Sequence, residues 1–394
     1  MRQSSRILVL LLVVIAAVGV VPATVAGQST DTNQTEFPIT LTDATGTEVT
    51  ITERPERVTT TNPSAAQVMW ELDAESQVVG LSKFAHYLDG AESRQNVSST
   101  DFGVSIERVV DTEPDLVLAP NSTGTETVER LRETGLTVYH FPEATDFADV
   151  KSKTLTIGQL TGNEQAAVET NRWVDANVEA VSAVTADADR PRLMYPLLSD
   201  FAVGGGTFID EIISASGAEN VAAEEFDGYK MVSDETVITL DPEVVIVTDQ
   251  TEGRILTAEP YSLTTAGQTN QSVFLEVNYI NQPAPRSLVY STRNLTAQLH
   301  PGLYNESDFV SREAAANMTL STETDTESED VETNVTETGP DNTTSDSVGD
   351  ETGPDNTTSD SAADETGVST PGFGVTVAVV SLIGGSLLAR RRTT

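Results

Sequence analysis

The sequence predicts an α/β protein of two similar lobes with mostly parallel sheets, joined by one long interlobe helix, with a flexible acidic stalk and a C-terminal membrane segment outside the fold. Three observations carry this. The first is a repeated phrase: Ser105–Leu118 (SIERVVDTEPDLVL) and Ser233–Ile246 (SDETVITLDPEVVI) align without a gap, 128 residues apart. In both, a Ser that can cap a helix precedes a short amphipathic run, a Pro stops that run, and an apolar strand follows. The second is a succession of strand–helix units around each copy, which favours parallel sheets. The third is a helical stretch between the copies, long enough to reach from one lobe to the other.

Taken in order, residues 1–26 read as a signal peptide. Arg2 and Arg6 precede the apolar run Ile7–Val21, and Thr24-Val25-Ala26 offers small residues for cleavage. The run is short for a membrane span. No Arg-Arg pair precedes it, which favours the general secretion route. Residues 27–36 form a linker, and residues 37–145 the N-terminal lobe. That lobe opens with a hairpin around Asp43-Ala44-Thr45-Gly46. The strand ending at Thr60 leads through Asn62-Pro63-Ser64 into a helix over Ala65–Leu72. Val78–Leu81 is a strand, Thr125–Thr134 a helix, and Val138–Phe141 a strand.

Residues 146–186 form the bridge, with Gly162-Asn163 breaking it into a first part and a second, Glu164–Val184, about 30 Å long. The C-terminal lobe, 187–304, holds Gly204-Gly205-Gly206-Thr207 leading into a helix over Phe208–Ser216, then the second copy of the phrase. Its last helix covers roughly Ser291–Leu299, and the core ends near Asn305.

Residues 305–370 read as a disordered stalk rich in Thr, Ser and acid, with ETGPDNTTSDS at Glu337–Ser347 and again at Glu351–Ser361. Ten Asn-X-Ser/Thr sequons, four of them at Asn317, Asn334, Asn342 and Asn356, fit a glycosylated, extracellular chain. Residues 371–394 carry Pro371-Gly372-Phe373, an apolar run and Arg390-Arg391-Arg392, a basic end that fits the positive-inside rule.

Composition narrows the function. With 61 acidic and 22 basic residues the net charge is −39, which repels nucleic acid and suits solubility in high salt. The chain has no Cys, so disulfides, thiolate metal sites and a lipid-bearing Cys are excluded. No phosphate-binding GxxxxGK[ST], GxSxG or HExxH occurs, so neither nucleotide-driven work nor catalysis is expected, and no cofactor is implied. Three histidines (His86, His140 and His300) do not share a metal-ligand spacing. The three glycines at 204–206 can expose N–H groups to a phosphate or simply make a tight turn, and the turn is favoured.

Ligand contacts are expected in the loops at strand ends, where α/β sheets bind. These are Asn62, Tyr87, Asn121, Tyr195, Phe201, Tyr229 and Thr248. Arg286, between two prolines and a strand-like run, is open to either a salt bridge or an anion.

The stretches ERVTTTNPSAAQVMWELDAESQVVGLS, IERVVDTEPDLVLAPN, VGGGTFIDEIISASGAENV and SDETVITLDPEVVIV together resemble the cobalamin/iron–siderophore class of ABC-transporter substrate-binding proteins, over roughly Glu56–Asp249. The resemblance implies two lobes on a stiff bridge and a small-molecule ligand, a corrinoid or ferric siderophore, held between them. It also implies an ABC permease partner that docks on one Glu per lobe, here Glu107 and Glu235. The C-terminus resembles the PGF-type sorting signal of archaeal surface proteins, which implies a sorting enzyme as a further partner. Cleavage with lipid anchoring and a retained membrane helix both place the protein on the outer face of the cytoplasmic membrane. A metal-ion receptor or surface sensor on the same scaffold, and a non-transport envelope protein, are the alternatives.

Overall fold

The computed structural model describes residues 35–100, 103–198 and 201–324. The signal peptide, most of the stalk and the Pro-Gly-Phe segment lie outside the described residues.

The expected hairpin is present as β1 (Ile39–Thr42) and β2 (Glu48–Ile51), antiparallel with Ile39 opposite Ile51. The first lobe then follows as β3 (Val58–Thr60), α1 (Pro63–Glu71), β4 (Val78–Leu81), β5 (Gln95–Asn96), α2 (Ile106–Val110), β6 (Leu116–Ala119), α3 (Thr125–Glu133) and β7 (Val138–His140). Its five strands are all parallel, in the order β5-β4-β3-β6-β7. The direction of winding reverses between β3 and β6, which opens a crevice beyond their C-terminal ends. Both faces of the sheet are covered: Leu116 and Leu118 join one apolar cluster, while Val117 joins the other with Val109 of α2.

The bridge is a helical hairpin. Helix α4 (Phe147–Thr161) ends on Gly162 at φ +69°, and α5 (Glu164–Thr185) runs back beside it. The antiparallel register is fixed by Lys151 bonding to Asp175 (2.6 Å) and by Asn171 donating to the Lys151 carbonyl (3.0 Å). Phe147 and Val150 of α4 sit in the second lobe's core, while Ile157 and Leu160 sit in the first lobe's. One helix is thereby packed into both cores.

The second lobe comprises β8 (Arg192–Met194), β9 (Pro196–Leu198), β10 (Phe201–Val203), α6 (Phe208–Ala215), β11 (Glu219–Asn220), β12 (Tyr229–Met231), α7 (Asp234–Leu240), β13 (Val244–Val247), α8 (Thr265–Thr269), β14 (Ser272–Phe274), α9 (Val277–Ile280) and α10 (Pro285–Leu299). Its main sheet is parallel, in the order β11-β8-β13-β14, with the reversal between β8 and β13. A small antiparallel sheet, β12-β10-β9, lies apart from it.

The repeated phrase builds the same device in each lobe. Ser105 and Ser233 cap α2 and α7, each accepting the N–H three residues on, from Arg108 and Thr236. Glu113 and Asp241, before the prolines, both take a left-handed conformation (φ 46° and 42°) that turns the chain into its strand. The acid after each proline then caps the start of the lobe's central strand: Asp115 accepts from the Arg57 N–H (2.9 Å) and Glu243 from the Arg192 N–H (3.0 Å).

The fold runs on past the expected end of the core at residue 304. Phe309 packs edge-on against Trp173, and the Val310 carbonyl accepts from Trp173 Nε1 (2.9 Å). Helix α11 (Arg312–Thr324) follows, with Ala315 buried. The start of the stretch assigned to the stalk is therefore a strap along α5. Aromatic and carbonyl contacts fix it, and its polar composition gave no sign of them.

Candidate functional site

The loops that leave β3 and β6, at the first lobe's reversal, meet residues of the second lobe across a cleft. After β3, Asn62 caps α1, its Oδ1 accepting from the Ser64 N–H (2.7 Å). Its Nδ2 donates to Ser122 Oγ (2.6 Å), in the loop after β6. This side-chain pair ties together the two loops that flank the first lobe's crevice. Facing them are Tyr229 and Phe208 from the second lobe, with Glu143 and Ala144 from the approach to α4 and Gln282 and Pro283 from the approach to α10. These residues bound a cleft of about 470 Å³ of empty space. A second hollow of about 520 Å³, sharing Asn62 and Ser122, continues it over the strand ends of the first lobe beside Ser82, Phe84 and Thr127.

The lining is polar but almost uncharged, Glu143 being the one carboxylate among the described residues of the cleft. Burial, reinforced by the nearby Glu143 charge, pushes the Tyr229 phenol up and keeps it a neutral donor. Beneath the floor lies Lys153 of α4, which is 6% exposed and donates to Ser64 Oγ (3.0 Å) and the Pro283 carbonyl (2.7 Å). Its ammonium so joins the bridge to both sides of the cleft. Burial lowers its pKa to about 7.

Above pH 7 the folded chain has lost a proton that the unfolded chain keeps until the ordinary lysine value of 10.5, so stability rises with pH across that window. The slope is up to about 1.4 kcal/mol per pH unit. Lys153→Met is expected to flatten that rise, measured by urea unfolding at fixed salt across the window. An unchanged slope in the variant would refute it.

Of the residues expected from sequence, the cleft gathers Asn62, Asn121 and Tyr229. The others lie elsewhere for identifiable reasons. Tyr195 is 1% exposed in the second lobe's core, its hydroxyl bonded to Asn281 Oδ1 (3.0 Å). Phe201 faces the same core from β10. Thr248 is buried in a turn, its N–H donating to Thr251 Oγ1 (3.0 Å). Tyr87 packs on α1 and donates to Gln67 Oε1 (2.6 Å). Arg286 resolves to the salt bridge: its Nε lies 2.5 Å from Glu71 Oε1.

The glycine turn before α6 is not an anion cradle. The N–H groups of Gly204 and Gly205 are spent on the carbonyls of Gly228 and Phe226. A Cβ on Gly204 would meet the Phe226 ring at 2.4 Å, so glycine is needed for close approach. His140 Nδ1 and His300 Nε2 are bonded to the carbonyls of Ala119 and Gly217.

Sequence reasoning missed Ser122, Glu143, Phe208, Gln282 and Lys153. Ser122 stands beside Asn121, and Gln282 lies four residues before Arg286. For Phe208 and Lys153, both on helices, no local signal exists.

Two α/β lobes with a cleft between them, lined at the first lobe's sheet reversal, are what this geometry defines. Residues 58–277 match the model of the periplasmic binding protein family, and the chain belongs to that family. It is a binding protein, not an enzyme, as the family's solute-binding members are. Residues 370–392 match the PGF-CTERM motif. A protein of Halobacterium salinarum described as a cobalamin-binding protein is 42% identical over 262 residues, covering 64% of this chain and 71% of that one. Its salt-loving source accords with the acidic composition. Among solved structures, the molybdate periplasmic binding protein MolA of a Haemophilus influenzae ABC transporter aligns at a TM-score of 0.62 and 20% identity, over 70% of this chain and 95% of that one. The periplasmic heme-binding protein RhuT of Roseiflexus sp. RS-1 aligns at 0.56 and 22%, over 62% and 98%. These likenesses are of fold. The family match and the cobalamin-binding relative make this chain a substrate-binding protein.

Proposed function

We propose that the protein captures a cobalamin-like ligand in the cleft between lobes 37–145 and 187–304 and delivers it to an ABC permease. The observation that carries the choice of ligand is the cleft lining. Asn62, Asn121, Ser122, Gln282 and Tyr229 offer hydrogen bonds without charge, and the Arg286 guanidinium is committed to Glu71. Such a lining suits a large, amide-rich corrinoid better than an oxyanion or an anionic ferric siderophore, each of which calls for cations. The cobalamin-binding relative points the same way. Docking rests on Glu107 and Glu235. The exported chain, its PGF-type segment recognised by a sorting enzyme, works on the outer face of the cytoplasmic membrane.

The test is a thermal-shift panel at high salt with cyanocobalamin, a ferric hydroxamate, haem and molybdate. Cobalamin at 100 times its Kd is expected to stabilise by about 2.7 kcal/mol. Asn62→Leu and Tyr229→Ala should each reduce that shift. A shift with haem, hydroxamate or molybdate and none with cobalamin would overturn the choice of ligand.

A further inference from the structure

Each copy of the repeated phrase leaves an aliphatic side chain in the open, one position beyond the valine that it buries. Val109 and Val237 are sealed in their cores, whereas Val110 is 38% and Ile238 41% exposed. The two occupy the same place in the repeat. Each lies three residues after its glutamate, on the last turn of α2 and within α7, so each acid and aliphatic pair shares one helix face, with Cβ atoms about 5–6 Å apart. Glu107 and Glu235 are exposed, and neither carboxylate has an ion-pair partner among the described residues. Arg108, the one cation on α2, donates to the Ser98 carbonyl (2.6 Å). A single exposed aliphatic needs no explanation. Two at equivalent positions, each beside a free carboxylate, do.

We infer that Val110 and Ile238 form, with Glu107 and Glu235, a duplicated docking surface, and that its occupant is the two equivalent halves of the permease, each presenting a cation bordered by an apolar recess. This rests on the docking reading and adds what makes it hold in salt. At molar ionic strength the Debye length is about 3 Å, and an exposed ion pair contributes little. An apolar rim pressed against the partner expels water and salt from around the pair, where the charge interaction is no longer screened. The carboxylates carry the attraction, and the aliphatic neighbours keep it dry.

The experiment measures binding of the full exported chain to its permease–ATPase complex in nanodiscs, across a series of KCl concentrations. Wild type should dock with little dependence on salt. Val110→Ser with Ile238→Ser should weaken docking about tenfold at high salt and make it fall steeply as salt rises. Cobalamin affinity and thermal stability should stay unchanged, since both side chains are at the surface. Val110→Leu with Ile238→Leu should dock like wild type. If Glu107→Gln with Glu235→Gln abolishes docking but the serine pair docks like wild type at every salt, the apolar role is overturned and the docking reading stands. If neither pair affects docking, both are overturned.

Discussion

Replacing Glu107 and Glu235 together by alanine is expected to abolish uptake while leaving the affinity for the ligand unchanged. Neither α2 nor α7 contributes a side chain to the cleft or to the groove that continues it, so binding has no route to sense the change. Both residues are exposed, and the burial of α2 and α7 depends on Val109, Val237 and Leu240 instead. Removing one partner of a desolvated charge pair costs about 2–5 kcal/mol, and two such losses take docking out of the working range. Each single replacement should leave measurable transport, because the other lobe still docks. The assay is uptake of labelled cobalamin into proteoliposomes beside equilibrium binding to the isolated chain. A loss of ligand affinity in the double variant would refute the docking role.

The surface signal was legible because it is local. Ser105 and Ser233 cap helices, Pro114 and Pro242 force a turn, and the acids that follow cap a neighbouring strand; each acts through residues next to it in the chain or through one fixed strand contact. Gly162 broke the bridge for the same reason, since a left-handed turn there is cheap only for glycine. The loops at Asn62 and Asn121 are legible because each follows a strand end, where α/β sheets bind.

What could not be read is set by partners far away in sequence. Tyr195 stands at a strand end, where exposure is common, yet Asn281 meets its hydroxyl and the core closes over its ring. Lys153 looks like any helix-surface lysine until α1 and the 282–283 segment close on it. The strap after residue 305 has the composition of the stalk that follows; Trp173 and Asn177, over 130 residues earlier, supply its bonds to Val310. Composition reports what a segment can do alone, and here the deciding contacts were all supplied by others.

Removing both arginines that face Glu71 is expected to be the most damaging change to stability. Glu71 ends α1 in the first lobe, with its side chain 3% exposed. Arg286 at the start of α10 meets one carboxylate oxygen and Arg312 of the strap the other. Arg312 also donates to the Glu71 carbonyl and to Thr170 (both 3.0 Å) and lies over the Trp173 ring, 4.5 Å from its centre. The cluster therefore joins the first lobe, the bridge, the last core helix and the strap. Its two sides are unequal: the arginines keep access to water, while the carboxylate does not. Glu71→Gln should cost the less, because the guanidiniums can turn to solvent. Arg286→Met with Arg312→Met strands a buried charge, which costs about 3–5 kcal/mol. Burial already raises the Glu71 pKa, with the two arginines opposing it. Without them it rises further, and a carboxyl whose folded pKa is raised regains stability as pH falls through that value. Urea unfolding at fixed salt should show the double variant recovering relative to wild type on acidification. If the double variant loses no more stability than Glu71→Gln, or shows no such recovery, the carboxylate is not the stranded charge.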